Sequence, residues 1–434
     1  MTWIGHRARS FFVVATIAVG AAISPARPSL AAVLQVPSTY ATIGQAITAA
    51  APGDTIVVAA GTYSPSVNGE TFPISIGKND LLLLGAGASA SILDAEQTAG
   101  VIRHTATSGG RVTGFTITGG WTSAGAGVRV LSGNVEIDNN LVRANAAMFR
   151  GSGIFAGGAG TAPWIHHNVV WECFDTDVKA AGDPHGIQIV EGSTALVEHN
   201  LVGRGDSNSL LYDTGAAPII RHNIFFENGI DGLRGRGICA FGDSTAVIAH
   251  NLFHGNVLAD LLVAGAGDVT AAEANDIDPD DGIYGNVSGD PLFVNADALD
   301  FHLMFGSPAI DAGDPNLPFD PDGTIADIGP YFFPQGASEG PAVAGGSAFG
   351  LRPNAPNPFS RTTQLHFDVP RDAPARLTIT DVTGRIVRRF SVLGETAASW
   401  DGRDGSGRVM NSGVYFVRLT APGVDDTRKV TLVR

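Results

Sequence analysis

The fold is decided by a phrase that recurs between residues 111 and 289. The phrase is a short apolar alternation followed by a polar pair ending in Asn: VEIDNN ending at Asn140, WIHHN at Asn168, LVEHN at Asn200, IIRHN at Asn223 and VIAHN at Asn251. A looser copy, IYGN, ends at Asn286. Successive Asn lie 28, 32, 23, 28 and 35 residues apart. A period of that size with no amphipathic helix pattern inside it predicts a coil of parallel strands. A second anchor precedes three of the Asn: Gly186 and Gly237 each stand 14 residues before theirs and Gly153 stands 15 before, opening the strands GIFA, GIQI and GICA. One coil therefore reads strand, turn, strand, Asn bend, strand, loop. A single coil cannot bury its own apolar face, so the coils stack and share a core. At the bend each Asn has an Asn above and below it, and their amides can bond along the axis, satisfying buried polar groups. His167, His199, His222 and His250 form a parallel column. They follow a line along one flank, whereas a closed metal site needs ligands that converge on a point.

The chain is long enough for at least two domains. It has 434 residues, 56 of them Gly, and a formal net charge of -15. The charge is uneven. Residues 28–350 hold 11 Lys and Arg against 34 Asp and Glu, whereas residues 351–434 hold 13 against 8. So acidic a body argues against nucleic acid as a partner. It also disfavours a bare polyanionic glycan unless Ca²⁺ bridges the charges or a local basic region receives it.

Residues 1–31 read as a secretory signal peptide. His6, Arg7 and Arg9 form the positive start, Phe11–Ala22 the apolar segment, and Ser29 and Ala31 the small residues before the cleavage point. The apolar run is too short to span a bilayer, and no later segment reaches spanning length, so the mature chain is expected to be secreted or on the outer cell surface without a membrane span. Cys173 and Cys239 are the only cysteines. With Cys239 three coils further on, they stand roughly 14 Å apart along an axis that advances about 4.8 Å per coil, beyond disulfide reach. Thr39 or Thr42 is placed to cap a short helix running to about Ala50 that covers the open end of the coil.

The opening VPSTYATIGQAITAAAPGDTIVVAAGTY (36–63), with ETFPISI and LLLLGAG after it, and the close GNVSGDPLFVNADALDFHLMFGSPAIDAGD (285–314) with DPDGTIADIGPY (320–331) resemble secreted right-handed parallel β-helix proteins of the pectate-lyase-like superfamily. The resemblance covers about Val36 to Tyr331. It implies an all-β chain with a right-handed β-helix over residues 33–333. Its members include polysaccharide lyases, glycoside hydrolases, epimerases and proteins without demonstrated catalysis, so the fold leaves the activity open. Residues 334–350 lack periodicity and read as a linker. In residues 351–434, PNPFS (356–360), the alternating strands LHFDV, ARLTITD and IVRRFSV, then Trp400-Asp401-Gly402 and Ser412–Phe416 predict a small β-sandwich. This segment is similar to the C-terminal sorting domains of type IX secretion cargo and to the immunoglobulin-like fold of flagellar hook-cap proteins, which implies outer-surface secretion machinery as a partner.

Strand alternation places Arg129, Phe155, Gln188, Leu211 and Cys239 on one outward face, the expected surface for an extracellular polysaccharide. The longest loop entering that face, VVWECFDTDVKAAGDPH (169–185), holds Glu172, Asp175, Asp177, Lys179, Asp183 and His185. Three classes of function fit. In a Ca²⁺-dependent lyase, Asp175, Asp177 and Asp183 hold the ion against a substrate carboxylate, Lys179 removes the neighbouring proton, and Arg150 or Arg204 stabilises the charge; related lyases use Ca²⁺ with a Lys or Arg base. In a glycoside hydrolase two carboxylates act as acid and base, although the GHG and RxK patterns of polygalacturonase-like enzymes are absent. The third class is noncatalytic glycan binding. A structural Ca²⁺ at Asp314, Asp320, Asp322 and Asp327 is a further expectation, with plain turn chemistry as its alternative.

Overall fold

The computed structural model describes residues 31–175, 185–213, 215–229, 234–241, 245–277, 282–335, 350–351, 359–368, 375–381, 385–392, 397–405, 407–411, 413–421 and 424–433. The secretory signal and the linker expected at 334–350 fall almost wholly outside them. Among the described residues no helix is long and apolar enough to cross a membrane.

Three sheets run along one axis. The first has ten parallel strands, from Val33–Val36 to Ile283–Tyr284, and the second has nine, from Gly61–Tyr63 to Val287–Ser288. The third stacks Ile74–Ile76, Ile102–His104, Val128–Val130, Ile154–Gly157, Ile187–Val190, Leu210–Tyr212, Arg236–Ala240 and Ala259–Val263 in parallel, and Gly267–Val269 closes it antiparallel. The middle residue of each first-sheet strand points inward. Ile56, Leu83, Val112, Ile137, Ile165, Val197, Ile220 and Ile248 are consequently all buried in one core. Branched side chains dominate that column because they pack well on a pleated surface. The N-terminal end is closed by α1 (Ile43–Ala49), whose N-cap Thr42 accepts from the Gln45 N–H and whose Ile43, Ala46 and Ile47 are buried.

The Asn ladder is continuous between the first and second sheets. Asn140 donates through Nδ2 to Asn168 Oδ1 at 3.1 Å; the same bond joins Asn168 to Asn200, Asn200 to Asn223, Asn223 to Asn251 and Asn251 to Asn286, each at 3.0 Å. Asn286 ends the row on Asn275, the last residue of α2 (Ala271–Asn275). Each Nδ2 also donates to a strand carbonyl of the coil before, such as Ile165 O for Asn200 at 2.8 Å. The strained backbone falls one residue before the ladder: Asn139, His167, His199, His222 and His250 have φ between 51° and 55°, in the left-handed region. The His column is thus the turning residue and the Asn is the bond that holds the turn.

A second bend repeats the device five residues on. Ala144, Glu172, Arg204 and Glu227 take φ of 49° to 51°. The following position holds Asn145, Cys173, Gly205, Asn228 and, after Gly255, Asn256. Cys173 occupies an Asn place, its Sγ 3.6 Å from Val142 O and 3.7 Å from Trp171 O, and burial pushes its thiol up to about 12. Both cysteines are buried, and neither is in a disulfide.

The coils end at Ser288, and the segment after them does not continue the helix. Residues 289–333 turn back along the outside of the second sheet, with Phe293–Asn295 and Asp300–Leu303 paired antiparallel. Phe293, Phe301, Leu303, Ala309 and Ile328 bury Val169, Trp171, Leu201, Ile224, Phe226 and Leu252 in a second core. The second-sheet strands are apolar on both faces because both faces are covered. Residues 351–434 form a separate antiparallel pair of sheets: Gly350–Leu351, Thr363–Asp368 and Ala397–Trp400 in one, Ile386–Val392, Ala375–Asp381, Gly413–Ala421 and Val424–Leu432 in the other. Trp400 is fully buried between Phe359 and Tyr415, and the Tyr415 hydroxyl donates to Asn411 O at 2.7 Å.

Replacing Asn200 by Ala strips the Asn168 backbone N–H of its acceptor and takes one bond each from Asn168 Nδ2, Asn223 Oδ1 and the Ile165 carbonyl at once. Unfolding in urea is expected to show a loss of about 3 kcal/mol, at the upper end for a buried polar truncation. A loss under about 1 kcal/mol would show that the ladder is ornamental.

Candidate functional site

The expected outward column exists in register. Ser75, Arg103, Arg129, Phe155, Gln188, Leu211, Cys239 and Leu262 are successive partners across the third sheet. Its surroundings change along the axis. Ser75 and Arg103 are exposed and Arg129 is half-buried, but Phe155, Gln188 and Leu211 are 3 to 5 % exposed, and Phe155 and Leu211 pack with Val190 and Cys239 in a small apolar cluster. Alternation predicts the side of a sheet and not what lies over it, so the open part of this face is its N-terminal end rather than the whole column. There the Arg129 guanidinium lies over the Phe155 ring at 5.8 Å, and its Nε is buried with no hydrogen-bond acceptor. Burial lowers the Arg129 basicity, the charges of Arg103 and Arg150 add to that, and Glu191 opposes it. Arg150 pairs with Glu191 at 2.5 Å. Gln188 Oε1 is also buried without a donor.

A feature missed by sequence reasoning adjoins this face. A three-stranded sheet of Trp121–Ala124, Ala146–Arg150 and Phe174–Asp175 is inserted between the second bend and the third sheet. It presents Trp121, 43 % exposed, and Phe149, 50 % exposed. The only signal for it was an apolar residue in a stretch otherwise read as loop. Of the catalytic loop candidates, Lys179, Asp177 and Asp183 lie outside the described residues, and Asp175 is placed by its backbone alone, opposite Ala147. Arg204 stands elsewhere. It occupies the second bend, pairs with Glu227 at 2.8 Å and with Asp297, and lies over Trp171 at 5.2 Å, tying the folded-back segment to the coils.

The acids of the C-terminal turn bond mainly to backbone N–H groups of their own segment. Asp314 stands apart: its N–H donates to His222 Nε2 at 2.8 Å and its carboxylate takes the Asn316 N–H and amide. Asp311 joins the remaining acids. Asp327 accepts from Asp311 N and Phe333 N, Asp320 from Asp327 N, and Asp322 from Thr324 and Gln335. Burial pushes the Asp327 carboxyl up to about 6, with Asp320 and Asp311 adding to the rise against its backbone donors. Among the described residues the three side chains of metal-ligating type that come together are in another place, Glu136 and Asp138 with His166 on the first sheet. That group already has partners within the protein. Arg111 donates to both oxygens of the fully buried Asp138 at 2.7 and 2.6 Å, and His166 Nε2 is 3.1 Å from Glu136. Burial pushes the Asp138 carboxyl up, but the bonds and charge of Arg111, with Asn139 and His166, outweigh it and leave it below its ordinary value.

Comparison with known proteins supports this architecture. Residues 97–277 match the family described as right handed beta helix region, and residues 354–424 match the FlgD Ig-like domain. No curated protein matches the chain. Two solved structures are similar over a fifth of it: PorZ, an essential bacterial surface component of the type-IX secretion system of Porphyromonas gingivalis, and dimeric latent PorU from the same organism. Each is 23 % identical over 20 % of this chain, covering 12 % and 9 % of the respective structures, with TM-scores of 0.17 and 0.18. The chain therefore spans about a tenth of the length of those structures, and a likeness of that extent carries no argument about activity or partners.

Removing the guanidinium in Arg111→Ala leaves Asp138 charged and buried. Stability at pH 7 is expected to fall by about 3 kcal/mol, the usual cost of breaking a buried pair. Asp138 in the native protein has a lowered pKa, so its contribution is present above the ordinary 3.8 and lost as pH falls below it. In the variant the unpaired acid takes up a proton more readily, and the deficit measured by denaturant unfolding should shrink between pH 7 and pH 4.

Proposed function

We propose that this chain is a secreted or cell-surface protein whose β-helix binds an anionic extracellular polysaccharide at the N-terminal end of the third sheet, held at the surface by its C-terminal sandwich. The observation that carries the reading is the Arg103, Arg129 and Arg150 group, with the buried Arg129 Nε lacking an acceptor. Three arginines lie within electrostatic reach of one another, with Glu191 bound to Arg150, and the buried Arg129 in particular is left for an anion to complete. Guanidinium groups suit carboxylates, since their fork matches two oxygens. Trp121 and Phe149, exposed on the adjoining sheet, offer flat apolar surface of the kind that packs against a sugar ring. The basic group thus supplies the local receiver that the overall charge of the body otherwise denies to such a ligand.

Titration of the full chain with polygalacturonate, alginate and neutral dextran, followed by calorimetry, tests the binding. Saturable binding of an acidic polymer, weakened about tenfold or more in Arg103→Ala/Arg129→Ala and weakened by salt, is expected. Equal binding of dextran, or an unaffected double variant, would overturn the reading. The same mixtures read for ultraviolet-absorbing unsaturated sugars and for reducing ends, with and without Ca²⁺, separate a binder from a lyase and a hydrolase. For the sandwich, deleting residues 351–434 should move the protein from the cell-bound pool to the medium or block its export, scored by immunoblot of both fractions.

A further inference from the structure

The His column holds a second segment of chain. Two legs of the folded-back region, near residues 309–314 and 326–329, lie across the bend; they are joined by Gly313 N to Ala326 O and Ile328 N to Ala309 O, both 2.9 Å. His250 Nδ1 is 3.1 Å from Ala312 O, His222 Nε2 takes the Asp314 N–H at 2.8 Å, and Gly329 N donates to His222 O at 2.8 Å. The Gly329 backbone also raises the basicity of His199, against the effect of burial. The approach is close enough to need glycine. A Cβ on Gly313 would stand 2.5 Å from Ala326 O and 3.2 Å from His222 Nε2, and one on Gly329, whose φ is 112°, 2.6 Å from Ile224.

The protonation states follow from these bonds. His222 Nε2 accepts, so in the neutral ring Nδ1 carries the hydrogen and donates to His199 Nε2 at 3.1 Å. His199 Nε2 is then an acceptor too, and its Nδ1–H is left for Gly329. A proton added at either Nε2 sets one N–H against another, Asp314 N–H in one case and His222 Nδ1–H in the other. We propose that residues 309–329 form a strap released by acid, a proton on the His199–His222 pair breaking its attachment and uncovering the apolar second sheet around Ile224.

The neighbouring charges set the direction. Facing the pair are Arg221, Glu198, His166, His167 and His250 from the coils and Asp314 from the strap. Burial is the main cause that pushes His222 down to about 3, with His199, Arg221 and His250 adding and Asp314 opposing. Burial likewise lowers His199. Groups held below their ordinary 6.5 stabilise docking fully above that value, and the contribution falls as pH drops from 6.5 toward 3. Asp327 works the other way: raised to about 6, it favours the folded strap as pH falls from 6 to 3.8. Its partners Asp311, Asp320 and Phe333 all belong to the folded-back segment, so its proton tightens that segment internally without rebuilding the bonds to His199 and His222.

Hydrogen exchange of the full chain at pH 7, 5.5 and 4, corrected for intrinsic rates, tests this. Protection of peptides within 309–329 should fall about tenfold or more between pH 7 and pH 4, the change that one pKa unit of differential protonation supplies, while peptides of 187–203 stay protected. In His222→Asn, which keeps a residue tolerant of the left-handed bend but too short to reach Asp314, strap protection should be low and flat with pH. Gly329→Ala should prise the strap off at pH 7 with the histidines intact. In Asp327→Asn the fall with acid should persist. Unchanged strap protection at pH 4, simultaneous loss in the core peptides, a wild-type profile in His222→Asn, or its disappearance in Asp327→Asn would each overturn the proposal.

Discussion

Everything in the β-helix depends on one bond, the buried amide of the Asn after each first bend. A bend removes backbone groups from the sheet ladders just where they are shut off from water, and a buried carbonyl or N–H left unmade costs more than a made one contributes. The Asn side chain meets both needs: its oxygen takes the backbone and side-chain N–H of the Asn in the coil before, and its nitrogen reaches a strand carbonyl and the next Asn. Because each amide bonds to the amides of the coils on either side, the first bend is locked in register from Asn140 to Asn286. The loops elsewhere in the coil are then free to differ, which is how repeats of 23 and 35 residues stack on one axis.

That division explains what was legible in the sequence. The ladder repeats a residue type at a recurring place, so its period, its stacking and the strand partners that follow from it could be read from Asn140, Asn168, Asn200, Asn223 and Asn251. The third-sheet column from Arg129 to Cys239 was legible for the same reason, since partners in successive coils keep the period-two alternation. The burial of Phe155, Gln188 and Leu211 was not, because the covering of an outward side chain is set by segments with no repeat. The folded-back segment left a readable trace. The second-sheet strands VVW and IFF are apolar at every position and LFH at all but its last, which in a parallel sheet means cover on both faces. The Asn ladder drew attention to the bend and away from that run.

Electrostatics divides the surface in a way that composition hides. Acids on the first sheet are spent internally: Glu136, Asp138 and Glu198 meet Arg111, Arg221 and His166. Arg143, Arg204 and Arg236 likewise answer Glu172, Glu227 and Asp268. The arginines at the open end of the third sheet have less to answer them, with Glu191 bound to Arg150 as their near carboxylate. Net charge therefore describes how the whole body repels an anion from a distance, while the local group decides whether one is held after arrival.

The turning residue of the first bend closes the argument about the histidines. A left-handed φ favours Gly and Asn, and Asn139 and Gly285 occupy the ends of that column. Between them the rings of His167, His199, His222 and His250 lie 5.1, 4.7 and 6.0 Å apart in sequence. Two positive charges about 5 Å apart repel by about 3 kcal/mol at an effective dielectric near 20, and each interior ring has such a neighbour on both sides. His167, His199 and His222 are consequently held neutral: burial first, then neighbouring charges, lowers His167 to about 4 and His222 to about 3, and burial lowers His199 as well. A neutral imidazole offers one donor and one acceptor in a fixed geometry, which an Asn side chain at this place is too short to project onto the folded-back segment. The column is thus a set of directional hydrogen-bonding arms aimed outward from the same bend that the Asn ladder fixes from within.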